Sequence, residues 1–261
     1  MFKLLETDDY LVPPPVVPPL RPVLFKDHQD PNLVSLQLLD KEITLSINFI
    51  EWLRGFTDAE GSFMTTKITN GSNTFQFKYQ ISLHIDDLKV LEYIKRILNV
   101  GRIKMDPQNS AAVFYVTAKD ELKVIVGIFT NFTLNTTKYL DFLSFAEAFT
   151  LYTKDNSRKA RKGANSLITE IIGGMNRNRK NFNMNLPNHR LKVTPYWLLG
   201  FVEGDGSFYL HTISNILYFS VKQKGNQTLL EAIKHFLLSA DPSQSFSSPE
   251  YQPTLNPSTA V

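Results

Sequence analysis

The sequence predicts an α+β protein made of two related units, each running helix, two strands, helix, two strands, helix (αββαββα), with antiparallel sheets. Two observations carry this. Residues 52–63 read WLRGFTDAEGSF and residues 197–208 read WLLGFVEGDGSF, so the chain repeats itself, with Asp58 and Glu60 exchanged for Glu203 and Asp205. After each copy come strand-like residues and then a helix-like run, LKVLEYIKRIL at 88–98 and QTLLEAIKHFLL at 227–238.

The first copy supplies most of the detail. From Phe75 to His84 apolar and polar residues alternate, with Phe75, Phe77, Tyr79, Ile81 and Leu83 on one face and Gln76, Lys78, Gln80, Ser82 and His84 on the other. That period of two predicts a half-buried strand. Asn70, Gly71, Ser72 and Asn73 before it read as a hairpin turn. Further strands are expected at 101–105 and 111–117, then helices near 120–132 and 138–152. The sheet has one polar face that nothing in the pattern covers. In the second copy Leu217, Phe219 and Val221 alternate with Tyr218, Ser220 and Lys222.

Residues 1–49 read as a flexible, proline-rich extension, 50–153 as the first unit and 154–194 as a basic linker. Residues 195–238 read as an incomplete second unit and 239–261, rich in Ser and Pro, as a disordered tail. On this reading the second unit is truncated by two strands and a helix.

The 261 residues include no cysteine, which excludes disulfides, thiolate metal sites and cysteine nucleophiles. The longest apolar runs, such as 124–129, are too short to cross a bilayer. Net charge is only +3, yet residues 154–192 hold 10 basic and 2 acidic side chains. That stretch, with Arg158, Lys159, Arg161, Lys162, Arg177, Arg179 and Lys180, is the natural phosphate-contacting element.

Each repeated segment is an apolar helix ending in an acid followed by glycine, Glu60-Gly61 and Asp205-Gly206. Glycine there suits a left-handed helix cap, which places the acid in the last turn. A carboxylate in that position meets the negative end of the helix dipole, so it calls for a positive charge, and a hard divalent cation provides one. Gly55 and Ala59 in one helix and Gly200 and Gly204 in the other lie four apart, giving each a flat strip for close approach. Paired strips would set Glu60 and Asp205 side by side about a pseudo-twofold axis, an arrangement suited to two-metal phosphodiester hydrolysis on two strands.

WLRGFTDAEG and WLLGFVEGDG resemble the two signature helices of LAGLIDADG homing endonucleases, and the likeness runs from about Ile50 to about Leu238, through SLHIDDLKVLEYI and LNTTKYLDFLSFAEAF. The resemblance implies a double-motif, intron-encoded endonuclease that cuts both strands of DNA at a long target site, works as a monomer and sits in the mitochondrion. It implies Mg2+ or Mn2+ held at Glu60 and Asp205 beside Gly61 and Gly206, and helix packing at Gly55, Gly61, Gly200 and Gly206. Lys138 and Gln223 match catalytic groups near the metals, whereas the flanking Asp58 and Glu203 read as solvated or capping groups. By the same likeness Gln76, Lys78, Gln80, Ser82 and His84, with Tyr218, Ser220 and Lys222, face DNA bases in the major groove. Two other roles fit relatives of this kind: an RNA-binding intron maturase using the basic stretch, and a DNA-binding derivative without cleavage.

Overall fold

The computed structural model describes residues 25–27, 31–37, 42–68, 74–154, 158–187, 189–213 and 215–239, with backbone alone at 25–27, 37 and 158–163. Strands β1 (Phe25–Asp27), β2 (Leu33–Gln37) and β3 (Glu42–Ser46) come first, as an antiparallel sheet in the order β1-β2-β3. This corrects the expected flexible extension for its second half. EITLS alternates with period two and, paired with LVSLQ, puts Leu36, Ile43 and Leu45 into the main core, while Ser35 and Thr44 share a hydroxyl hydrogen bond of 3.0 Å across the pair. Residues 1–24, including the proline cluster, lie outside the described residues. Replacing Leu36 by Ala should cost about 2–5 kcal/mol, the usual toll of a buried cavity. Urea unfolding checks it, and a loss below about 1 kcal/mol would show that the sheet does not pack on the core.

Ser46 then caps α1 (Ile47–Glu60), its hydroxyl accepting from the Phe49 amide at 3.1 Å. β4 (Gly61–Ile68) and β5 (Thr74–His84) follow, with the expected turn at 70–73 outside the described residues. After α2 (Leu88–Leu98) come β6 (Arg102–Asp106), β7 (Ala111–Val116), α3 (Lys119–Asn131) and α4 (Lys138–Lys154). The four strands lie in the order β4-β5-β7-β6, all antiparallel. Phe75, Phe77, Tyr79 and Ile81 turn inward as the alternation requires. On that face Phe63 meets Phe129 of α3 and Phe142 and Phe145 of α4, ring centroids 5.3–5.6 Å apart.

The basic stretch is more than a solvated linker. It forms α5 (Arg158–Gly173), which packs on α4 and buries Ile168, with Met175 just beyond it also in the core. Irregular chain then leads to α6 (Pro195–Asp205), capped by Thr194, whose hydroxyl accepts from the Trp197 amide at 3.1 Å, with Pro195 in the first turn. β8 (Gly206–His211), β9 (Ile216–Val221) and α7 (Gln227–Ser239) complete what is described of the second unit. Its β8-β9 sheet has two strands, and the tail and the expected shortfall beyond Ser239 lie outside the described residues. Among the described residues no helix is long and apolar enough to cross a membrane.

Candidate active site at the paired helix ends

α1 and α6 pack backbone to backbone. A Cβ added at Gly55 would run into the Trp197 carbonyl oxygen, and one at Gly200 into that of Trp52. Close approach is therefore what the small residues provide. Ala59 and Gly204 meet further along the same seam, so both helices end together. Gly61 and Gly206 are not left-handed caps, which corrects the expectation. Both are extended (φ −72° and −82°) and the helices run straight into strands; glycine is needed there because a Cβ would strike Thr57 and Val202.

Two reciprocal hydrogen bonds cross the seam. Trp52 Nε1 donates to Glu203 Oε2 at 2.7 Å, and Trp197 Nε1 donates to Asp58 Oδ2 at 2.9 Å. Asp58 is fully buried, so it is not a solvated acid. It also accepts from the amides of Asn135 and Thr136, each at 2.9 Å, and from the Thr136 hydroxyl at 2.7 Å. Beside it the buried Arg54 donates to Glu51 at 2.6 Å, to the Thr133 carbonyl at 2.9 Å and to the Lys192 carbonyl at 2.6 Å. These bonds fasten the loop before α4 and the chain entering α6 onto α1. Sequence reasoning missed Glu51, Arg54, Asn135, Thr136 and both tryptophans as site supports. The recurrence of Trp six residues before an acid in both copies was the available signal.

At the joined ends, the Glu60 side chain lies against Gly204, next to Asp205. Lys138 opens α4 and its ammonium donates to the carbonyls of Thr57 and Ala59, which puts a cation at the C-terminus of α1. Gln223 Nε2 donates to Asp205 Oδ2. The four residues that sequence alone nominated for chemistry are thus brought together. Desolvation raises the pKa of Glu60, against the pull of Lys138 and with the help of Asp205. It also raises that of Asp205, opposed by the Gln223 hydrogen bond and by Lys138. Burial lowers the pKa of Lys138, and the charges of Asp58, Asp205 and Glu60 hold it up.

Carboxyls whose folded pKa is raised bind protons more readily folded than unfolded, so stability falls as pH climbs from the ordinary carboxylate range through the raised values. A Glu60→Gln/Asp205→Asn protein should therefore melt a few degrees above the parent at pH 7, with the gain gone below about pH 4. Calorimetry at both pH values checks it; equal melting temperatures at pH 7 would mean the pair is not under strain. Among the described residues no group of three or more His, Asp or Glu is placed to hold a metal. The donor set is the two half-buried acids, which suits a hard cation that completes its shell with water and phosphate oxygens.

The expected base-reading residues fall on two sheets, Gln76, Lys78, Gln80, Ser82 and His84 on one face of β5 and Tyr218 and Ser220 on one face of β9, with Lys222 just beyond it. Gln76, Ser82, His84 and Lys222 are exposed, Lys78, Gln80 and Ser220 half-buried, and Tyr218 is exposed and stacked on Tyr209 with ring centroids 4.9 Å apart. Arg177 and Lys180 are exposed, but Arg179 is turned inward, donating to Asp141 at 2.8 Å and to the Leu140 carbonyl at 2.9 Å, which corrects its assignment to phosphate contact. The side chains of Arg158, Lys159, Arg161 and Lys162 lie outside the described residues.

Comparison with known proteins agrees with this geometry. A family model described as LAGLIDADG endonuclease matches residues 53–149. The chain is 31% identical over 198 residues to the probable intron-encoded endonuclease Cox1-I1b of Schizosaccharomyces pombe, covering 74% of this chain but half of that protein's length. It is 30% identical over 189 residues to the probable intron-encoded endonuclease aI3 of Dictyostelium citrinum, covering 70% of this chain and 71% of that one. Among solved structures, the LAGLIDADG homing endonuclease I-GzeII in complex with its DNA target superposes with a TM-score of 0.60 at 28% identity, covering 72% of this chain and 70% of that one. With the duplicated helices, their shared seam and the paired acids already in place, these matches establish that the chain belongs to the LAGLIDADG endonuclease family.

Proposed function

We propose that the chain is a site-specific double-strand DNA endonuclease that hydrolyses phosphodiester bonds with a divalent cation, Mg2+ or Mn2+, at Glu60 and Asp205, and serves the homing of a mobile intron. One observation carries this reading: two acids from duplicated helices end side by side, with Lys138 and Gln223 against them. When bound there, the cation supplies activation of water and stabilisation of the leaving oxygen.

The chain's own residues do the rest. The glycine seam fixes the two carboxylates relative to one another. Lys138, with its pKa lowered by burial, stands ready to give or take a proton near the scissile phosphate, and the Gln223 amide orients Asp205. The polar face of β4, β5 and β7 has the shape and chemistry to lie in a major groove, and β8-β9 does the same for the second half-site. The partner is a duplex with a long target, engaged by a monomer. The intron-encoded relatives support a mitochondrial setting.

Purified protein, magnesium and the intronless form of the host locus should give defined double-strand cuts that EDTA abolishes. Uncut target at concentrations where the protein demonstrably binds it would defeat the nuclease reading. Splicing assistance that survives loss of both acids would put the maturase role in its place.

A further inference from the structure

Residues 171–194, which lead from α5 to α6, include no acid, and they make a single tight 3-10 turn at Asn176–Asn178. The amides of Asn178 and Arg179 close it by donating to the carbonyls of Met175 and Asn176. Asn176 enters with a left-handed backbone (φ 53°), which asparagine tolerates better than most residues. A turn on a linker would ordinarily swing freely, but this one is tied down. The Asn176 backbone amide donates to Asp141 Oδ1 at 2.8 Å, and its side-chain amide donates to the Phe63 carbonyl at 3.0 Å. Arg179 Nε donates to the same Asp141 oxygen at 2.8 Å, while a terminal nitrogen donates to the Leu140 carbonyl at 2.9 Å and the Ser144 hydroxyl at 3.1 Å. Met175, just before the turn, is buried in the main core.

These tethers fix where the turn lies. β4 stands at the end of the order β4-β5-β7-β6, and its inner edge is taken by β5 along its whole length. The Asn176 side chain therefore reaches Phe63 from the free side of β4, three residues past Glu60. A sheet seated in a major groove has a row of phosphates along each flank, so what borders its edge strand meets backbone and not bases. At that flank the turn exposes Arg177, Asn178 and Lys180, and neither cation has a partner among the described residues. Asp141, the acid beneath them, is already neutralised by Arg179. It also sits one helical turn past Lys138 on α4, so the turn and that ammonium ride on the same rigid piece.

We propose that residues 175–180 form a phosphate clamp on the flank of the first sheet. Arg177 and Lys180 grip the backbone of the bound duplex, and Arg179, Asn176 and Asp141 are positioning residues that hold them there. Cations on a pinned turn lose less freedom on binding than cations on a loose linker, which is what the tethers contribute. The clamp rests on the DNA-binding part of the function proposed above and not on cleavage.

The test titrates a short duplex of the intronless host locus, and a scrambled duplex of the same composition, in EDTA at several salt concentrations. The line of log Kd against log salt should flatten by about 1.8 in Arg177→Ala/Lys180→Ala, two phosphate contacts at about 0.9 each. The loss should be equal on both duplexes, because the backbone carries no sequence. Arg179→Met removes no exposed charge, yet it should flatten the line by about 1 or more and add nothing to the double variant. Asn176→Gly keeps the left-handed backbone and deletes only the bond to Phe63, so it serves where Arg179→Met fails to fold. It should show the same loss at the parental melting temperature. Lys95→Ala, exposed on α2 behind the sheet, is the control and should keep the parental slope. A parental slope in Arg177→Ala/Lys180→Ala overturns the proposal. So does a parental slope in both Arg179→Met and Asn176→Gly, which would leave the tethers to the fold alone. Duplexes bound with an Arg177-dependent slope but never cut in magnesium would defeat the nuclease reading and leave the clamp standing. Cutting of the locus with a slope that no variant changes would do the opposite.

Discussion

Glu60→Gln should leave the protein folded and bound to its target while lowering double-strand cutting by about a thousandfold or more. The substitution keeps the size and shape of a half-buried side chain that lies against Gly204, so the seam between α1 and α6 has no reason to move. What it removes is one of the two charges that would hold the cation. Asp205→Asn should act alike, with one addition: the Gln223 amide can still reach the remaining oxygen, so loop position is kept while charge is lost. The double variant should be scarcely slower than either single one, because residues that hold one ion act as a unit. Lys138→Met should fall between, losing about a hundredfold through the missing proton transfer. Cutting is read on supercoiled target with magnesium, and binding by gel shift with calcium. If Glu60→Gln retains more than about a tenth of parental cutting, the carboxylate pair is not the reaction centre.

How far the sequence alone reaches is shown by particular residues. The strand Thr74–His84 was legible because an exposed sheet face imposes a period of two, and Phe77 next to Lys78 cannot satisfy both environments any other way. The seam was legible because Gly55 and Gly200 recur at equivalent places in a duplicated segment. Its cause at Gly61 and Gly206 was not, since close approach and left-handed backbone both select glycine and the letter does not tell them apart. LVSLQ and EITLS were not legible as strands because each is short and sits beside proline-rich or charged sequence of the kind that loops also carry. Asp58 was misread as a solvated or capping group, and Arg54 was not singled out, for a deeper reason. A charged residue reads as exposed unless its partners are known, and apart from Glu51 theirs come from 77 to 139 positions away: Thr133, Asn135, Lys192 and Trp197.

The same buried ties explain why the seam should be the least forgiving part of the molecule. Gly200→Val should cost more than about 4 kcal/mol, at the far end of what single substitutions do. The new side chain would occupy the space of the Trp52 carbonyl and the Phe56 amide, which are helix backbone and cannot swing aside as a flexible side chain could. Separating the helices to admit it would stretch both tryptophan–carboxylate bonds at once and leave the buried Asp58 short of a donor. The second unit has little with which to resist. Its own buried cluster is Trp197, Leu198, Phe201, Leu229 and Ile233, and part of that packs on Ala59 of the other helix. The expected outcome is therefore loss of the second unit from a first unit that still folds, seen as early exchange throughout α6, β8, β9 and α7. Gly173→Ala, where an added Cβ meets nothing within 4 Å, is the control and should change stability by less than about 0.5 kcal/mol. If Gly200→Val unfolds at the parental urea midpoint, the helices do not meet along this strip, and the paired acids lose the scaffold that brings them together.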